Sequence, residues 1–181
     1  PQGRPQQPAR PAGQGQRPAQ GQPANNRPAA QQPQGQPEPG LEAARRMILD
    51  GRAECVLVKD GRILAQESGG GVSPLLTIYE TRKGDMADAV IVDKVIGRAA
   101  AAIAICGKAR HVHGEVMSED AAEFLKAHGI TSGCTLPVPR ILNRKRDGLC
   151  PLEQSVAGID DPEQALAALK NKIESFRKNR N

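Results

Sequence analysis

Hydrophobic and polar residues are distributed differently on the two sides of Gly40 in this chain of 181 residues. Residues 1–40 have no hydrophobic period, and alanine is their only apolar residue type. Ten of the 15 prolines and 11 glutamines lie there. Such a segment cannot bury enough apolar surface to offset the entropy cost of ordering. We therefore predict a disordered basic tail over residues 1–40 and a folded domain after it.

The remaining chain alternates between helical and strand periods. The predicted elements are a helix over 41–50, strands over 54–59 and 62–66, a helix over 73–81, a strand over 89–92, a helix over 95–106, a strand over 110–117, a helix over 118–128, an extended segment over 130–138 and a helix that opens at 161. This order predicts a three-layer α/β domain with a mixed sheet and helices on both faces. We place the domain at 41–158, with an amphipathic helix and a basic end over 159–181.

Turn and capping residues set several of these boundaries. Asp60-Gly61 fits a type I′ hairpin turn, because both residue types tolerate positive φ. Ser73 before Pro74 and Ser118 before an acidic turn are typical helix N-caps. Asp161 with Gln164 three residues later fits a capping box.

Charge belongs mainly to the tail. The whole chain carries +5, and four arginines against Glu38 give residues 1–40 a net +3. We expect the tail to be a solubilising segment or linker, or, in a sharper hypothesis, a salt-sensitive contact with RNA or another polyanion. Tyr79, Phe124 and Phe176 are the only aromatic residues, which disfavours folds that stack single-stranded nucleic acid on aromatic platforms.

Composition also indicates the compartment. The longest apolar run, 99–106, is too short to cross a bilayer, and the start Pro-Gln-Gly-Arg has no apolar signal region. The four cysteines lie far apart and form no CxxC pair. We therefore expect a cytoplasmic protein with reduced thiols, no membrane contact and no paired-cysteine zinc site.

Five segments carry a family resemblance: LVKDGRIL, GGGVSPLL, AVIVDKVIGRAAA, GEVMSEDA and NRKRDGLCPLE. Through them, residues 54–154 resemble a bacterial and archaeal family, domain of unknown function eighteen-ninety-three. The hairpin that leads into strand–helix repeats also resembles the cytidine deaminase-like fold. The resemblance implies that fold and implies no particular activity.

Zinc-dependent deaminase chemistry needs a His or Cys at one helix start, two cysteines at the next, and a glutamate that moves the proton. Residues 71–74 and 94–97 occupy those helix starts and contain none of these ligands. The triplet His113-Gly114-Glu115 lies in a predicted strand instead. His111 and His113 share a strand face, which fits a metal pair or, more commonly, a half-exposed polar face. We expect no metal and no cofactor.

The first candidate site lies where the predicted central strand ends. Asp93 and Lys94 come just before a predicted helix start, and open α/β sheets bind ligands at such points. Gly70 and Gly71 are further candidates, because the run Gly69 to Gly71 can bring backbone amides close to a ligand. The alternatives are an ordinary charged turn and a flexible connector.

The second candidate is the loop that contains Asn143, Arg144, Cys150 and Glu153. Cys150 can act as a nucleophile or contact a ligand, Glu153 as an acid or base, and Arg144 as a bidentate anion ligand. The alternative is that Cys-Pro forms a buried turn with solvated charges around it. We favour this alternative over catalysis, because no histidine is near in sequence.

These observations favour a deaminase-like domain without catalytic zinc that binds a small anionic or nucleotide-like ligand at the strand ends. The alternative is a non-enzymatic interaction module that contacts RNA or a protein through its basic ends. Salt dependence separates the two, because polyanion binding falls steeply with salt. Cations on the last helix also suit its dipole without any partner.

Overall fold

The computed structural model describes residues 38–179. The predicted tail lies outside these residues except for its last three, and so do Arg180 and Asn181. The elements are α1 (Leu41–Leu49), β1 (Cys55–Lys59), β2 (Arg62–Glu67), α2 (Ser73–Met86), β3 (Val90–Ile96), α3 (Arg98–Cys106), β4 (His111–Ser118), α4 (Glu119–Ala127), β5 (Thr131–Val138), α5 (Pro151–Val156) and α6 (Pro162–Lys178).

The five strands form one mixed sheet in the order β2-β1-β3-β4-β5. β1 is antiparallel to both β2 and β3, whereas β3, β4 and β5 are parallel. A hairpin therefore leads into strand–helix repeats, which is the arrangement on which the resemblance to the deaminase-like fold rests. The predicted α/β class with a mixed sheet is confirmed.

The β1–β2 hairpin turns at Asp60-Gly61, as its sequence predicts. Both residues have positive φ, 51° and 75°, as a type I′ turn requires. Val58 near this turn pairs with Val90, the first residue of β3. The turn therefore lies at the edge of the sheet where β3 begins, opposite the edge where β3 ends.

Helices cover both faces of the sheet. On one face, α1 packs against alternate residues of β1 and β3, in a cluster formed by Ala44, Ile48, Ala53, Val56, Val58, Val90 and Val92. The other face carries the larger core, in which Leu57 and Ile91 of the same strands meet the remaining helices. The alternation follows from the two-residue period of a strand.

α3 is the central helix of the larger core. Every residue from Arg98 to Ala104 is buried, because β3 lies on one side of the helix and α6 on the other. Leu166 and Leu169 of α6 belong to that core. A helix covered on all sides is apolar all round, which explains the run of alanines and isoleucines in α3.

The predicted end of the central strand is wrong. β3 continues past Asp93 to Ile96, and Val95 and Ile96 pair with Val116 and Met117 of β4. These β-branched residues suit a strand better than the helix predicted for them. α3 begins only at Arg98, after Gly97 in an extended conformation.

Two helices also differ from prediction. α2 includes Ser73 rather than being capped by its side chain, and it continues beyond Thr81, across a kink at Arg82, to the fully buried Met86. The Cys150-Pro151 dipeptide does not form an isolated turn but begins α5, a helix of six residues. A helix of six residues is too short to show a hydrophobic period in the sequence, so it was not predicted.

The other two predicted caps are confirmed. Ser118 accepts a hydrogen bond from the Ala121 amide at 3.2 Å, and Asp161 accepts one from the Gln164 amide at 2.8 Å. Among residues 38–179, no helix is both long and apolar enough to cross a membrane.

Candidate functional site

The edge of the sheet where the parallel strands end brings together two of the predicted site segments. A methyl group placed on Gly70 would lie 3.2 Å from Nη2 of Arg144, and one on Gly71 would lie 3.8 Å from Cδ1 of Leu152. The glycine turn after β2 therefore touches the loop before α5, although they are about 70 residues apart in sequence.

The loop over residues 141–150, which we call the basic flap, has a hairpin-like structure of its own. Leu142 and Leu149 form a β-bridge, and the Asn143 amide donates to the Gly148 carbonyl at 2.8 Å. The Cys150 amide donates to the Ile141 carbonyl at 3.1 Å and closes the base of the flap. Local hydrogen bonds therefore hold the flap in one conformation.

The tip of the basic flap presents three consecutive cations, Arg144, Lys145 and Arg146, all exposed. None of them forms an ion pair with another residue in the described part of the chain. The Asn143 side chain instead braces the flap, because its Nδ2 donates to Oδ1 of Asp147 at 2.7 Å. Its buried Oδ1 accepts no hydrogen bond.

Asp93 is buried within β3, 5% exposed, beside its cross-strand neighbour Cys55. Its Oδ1 accepts a hydrogen bond from the Val95 amide at 3.0 Å. Burial raises the pKa of Asp93 to about 7, although the hydrogen bonds from Val95 and Cys55 oppose that rise. Burial and the neighbouring carboxyl also raise the pKa of the Cys55 thiol well above its ordinary value.

Lys94 does not share a site with Asp93. Adjacent strand residues point to opposite faces, and Lys94 is exposed with its Nζ 3.0 Å from Oε1 of Glu54. Since β3 continues beyond both residues, neither lies at the strand end. The predicted pairing of Asp93 and Lys94 at one crevice is therefore corrected.

Glu153 reaches the first turn of α3. Its Oε2 accepts a hydrogen bond from the Arg98 amide at 2.7 Å, and its Oε1 accepts one from the Ala99 amide at 3.0 Å. Burial raises the pKa of Glu153, while these two amide hydrogen bonds oppose the rise. Cys150 is half-buried at the start of α5.

Arg98 is a further buried residue at this edge, and the sequence prediction missed it. Its guanidinium binds Asp120 at 2.7 Å, Asp160 at 2.8 Å and the Ile159 carbonyl at 2.8 Å. It also stacks over the Phe124 ring, 4.1 Å from the centroid. Arg98 therefore joins the starts of α3, α4 and α6. A single arginine at the start of an otherwise apolar helix is the signal that could have identified it.

The residues at the helix starts do not fit a deaminase zinc ion. The start of α3 offers Gly97, Arg98 and Ala99, which have no metal-binding side chain, and its first amides bind the Glu153 carboxylate. Residues 38–179 contain no group of three or more His, Cys, Asp or Glu side chains arranged to hold a metal ion.

The triplet His113-Gly114-Glu115 lies on β4, on the face covered by α1. Glu115 binds Arg45 of α1 at 2.8 Å, and this contact lowers the pKa of the Glu115 carboxyl. Nε2 of His113 lies 3.6 Å from Oε1 of Glu115 and has no hydrogen-bond partner. His111 binds Thr131 at 2.8 Å. His111 and His113 therefore lie on the same face of β4 as Glu115.

A cavity of about 270 Å³ lies elsewhere, between α2 and α6. Its lining residues are Leu76, Glu80, Lys170, Asn171, Ile173, Glu174 and Arg177. It contains none of the site residues predicted from the sequence.

Comparison with known proteins gives a family and a fold. Residues 43–173 match the sequence model of a family described as TM1506, a domain of unknown function (DUF1893). The chain is also similar to the crystal structure of a DUF1893 family protein (TM1506) from Thermotoga maritima, with a TM-score of 0.68, 22% identity, and coverage of 76% of this chain and 92% of that chain. This likeness concerns the fold.

A second similar structure is Acinetobacter baumannii RibD, form 2. It has a TM-score of 0.41 and 13% identity, over 52% of this chain and 34% of that chain. A search of curated proteins gave no match.

Proposed function

The chain belongs to the DUF1893 family, and from the geometry of its strand-end edge we propose that it binds a small anionic, phosphate-bearing ligand between the glycine turn and the basic flap. The observation that carries this proposal is the placement of the Arg144 guanidinium over Gly70. Its Nη2 lies 3.2 Å from the position that a Cβ atom on Gly70 would occupy. Arginine binds oxyanions through two parallel N–H groups, and glycine lets a ligand approach the backbone.

The charge around this contact supports an anion. Arg144, Lys145 and Arg146 are exposed and have no ion-pair partner among residues 38–179. Three adjacent cations against the single carboxylate of Asp147, which binds Asn143, create a positive potential that concentrates anions. The site therefore offers charge and hydrogen-bond donors from the flap, and backbone from the glycine turn.

The aromatic residues indicate which part of a nucleotide-like ligand is recognised. Tyr79 packs with Lys83 and Lys170, and Phe124 is covered by Arg98. Stacking of a base needs an exposed aromatic face, and the flap offers none. The phosphate groups, rather than a base, are the recognised part, and inorganic pyrophosphate is a suitable probe.

The alternative function, an interaction module with basic ends, has less support at the C-terminal helix. Two of its cations are already neutralised, because Lys170 pairs with Glu80 at 3.1 Å and Lys178 with Glu174 at 3.9 Å. The N-terminal tail lies outside the described residues.

Calorimetric titration with pyrophosphate tests the proposal on the full chain. Arg144→Ala is expected to weaken binding by about tenfold or more, since a charge-assisted bidentate contact contributes on the order of 1.5–3 kcal/mol. Arg62→Ala is the matched control: Arg62 is also exposed, but it follows the β1–β2 turn at the opposite edge of the sheet.

Two results would contradict the proposal. One is no measurable binding of pyrophosphate to the unmodified chain at low salt. The other is an equal loss of affinity in both arginine variants, which would mean that net charge alone attracts the anion. Stronger binding of an RNA oligonucleotide with a steep salt dependence would favour the interaction module instead.

A further inference from the structure

α5 joins the basic flap to α3. It begins at Pro151, directly after the flap closes at Cys150, and its Gln154 side chain donates back to the Leu149 carbonyl at 3.0 Å. A short stretch of chain therefore connects the flap tip to Glu153. The Glu153 carboxylate is bound to the Arg98 and Ala99 amides at 2.7 and 3.0 Å.

Gly97 makes the room for this carboxylate. A methyl group on Gly97 would lie 2.4–2.5 Å from the carboxyl atoms of Glu153, well inside contact distance. Its φ of −104° is accessible to any residue, so backbone conformation does not require glycine here. The position needs glycine because Glu153 occupies the place of a side chain.

The Glu153 carboxylate binds only the first turn of α3 among the described residues. Within the described chain, the two α3 amides are the hydrogen-bond donors to the Glu153 carboxylate, while the nearby Arg98 guanidinium is bound to Asp120 and Asp160. Arg98 therefore organises the surrounding helix starts, and Glu153 alone among these side chains ties α5 to the first turn of α3.

We propose that Glu153 and Gly97 form a latch that holds the basic flap against the glycine turn, which makes them positioning residues for the anion site. In the closed latch, Leu152 lies against Gly71 and Arg144 lies over Gly70. Loss of the Glu153 contact lets α5 and the flap move away from the sheet edge together. The effect of the latch on anion binding rests on the proposed function, but its effect on flap mobility does not.

Limited trypsin digestion of the ligand-free chain tests the latch, since the flap tip contains three trypsin sites in succession. Mass spectrometry follows cleavage after residues 144–146. Glu153→Ala and Gly97→Ala are each expected to speed that cleavage by about tenfold, because proteolysis follows the population of the open segment. Ser118→Ala, which removes a cap at the same edge, controls for general loss of stability.

Two further variants separate a latch from a merely structural role. Glu153→Gln retains a carbonyl oxygen that can accept one amide hydrogen bond, so it should restore part of the protection. If Gly97 serves only to admit Glu153, adding Gly97→Ala to Glu153→Ala should not speed cleavage further, and the two effects will be non-additive. Additive effects, or flap cleavage no faster than in Ser118→Ala, would overturn the latch.

Pyrophosphate titration completes the test. Glu153→Ala is expected to weaken binding by the factor by which it lowers the closed fraction of the flap, about twofold when half of the flaps are open, since only the closed flap presents Arg144 at Gly70. Tighter binding in this variant would overturn the latch, because the carboxylate would then be a competitor for the anion. No binding to the unmodified chain would overturn the proposed function, while the digestion rates would still decide the latch.

Discussion

Replacement of Asp93 by asparagine should change how the stability of this protein depends on pH. The Asp93 carboxyl is buried against Cys55, and Lys94 does not neutralise it, because that lysine is exposed and binds Glu54. Burial raises the pKa of Asp93 from the ordinary value of 3.8 to about 7. The folded state therefore binds the Asp93 proton more tightly than the unfolded state does.

The sign and size of the effect follow from linkage. Because the pKa is raised, the proton on Asp93 stabilises the folded state. This stabilisation is fully present below pH 3.8 and is lost as the pH rises through about 7. At about 1.4 kcal/mol per pH unit, the whole range corresponds to about 4 kcal/mol, and the part between pH 5 and pH 8 to about 2.5 kcal/mol. The asparagine side chain in Asp93→Asn retains an oxygen to accept the Val95 amide but does not titrate.

Urea denaturation at pH 5 and pH 8 measures this effect. Between pH 5 and pH 8 the unmodified chain should lose about 2.5 kcal/mol of unfolding free energy through Asp93, and Asp93→Asn should not. The unfolding free energy of the variant minus that of the unmodified chain should therefore rise by about 2.5 kcal/mol, whatever the stability of the variant at either pH. Asp60→Asn, in the exposed β1–β2 turn, controls for the loss of one carboxyl. The same pH dependence in Asp93→Asn and the unmodified chain would refute the reasoning.

Four further substitutions test packing and hydrogen bonding in the fold by urea or thermal denaturation. Gly114→Ala would place a methyl group 2.7 Å from the Val116 carbonyl oxygen and should destabilise the fold by about 1–3 kcal/mol. Gly84→Ala in α2 has open space around it and should stabilise the fold by about 0.5–1 kcal/mol. Equal effects of the two substitutions would contradict the packing argument. Ser118→Ala should cost about 1 kcal/mol through the lost cap of α4, and no loss would mean that the cap is dispensable. Arg98→Lys keeps the charge but offers one nitrogen in place of the two that bind Asp120 and the Asp160–Ile159 pair, so a cost of about 1–3 kcal/mol is expected, and an unchanged midpoint would contradict it.

The sequence alone was sufficient where a short segment determines its own conformation. Asp60-Gly61 turns because both residues accept positive φ, and Ser118 and Asp161 cap helices because their oxygens reach amides three residues away. The run of small apolar residues over 99–106 also lies in a helix, as predicted. These interactions form within one turn of the chain, so they depend little on distant residues, although the cap predicted at Ser73 did not form.

The tertiary structure decided everything that depends on pairing between distant segments. β3 extends to Ile96 because β4 offers partners for Val95 and Ile96, and this extension moves Asp93 and Lys94 away from the strand end. The Glu153 side chain, a candidate acid or base by sequence, binds amides 54 and 55 residues earlier in the chain. Gly97 gains its role only from that contact. Such contacts are set by sheet register and helix packing, which local sequence does not specify.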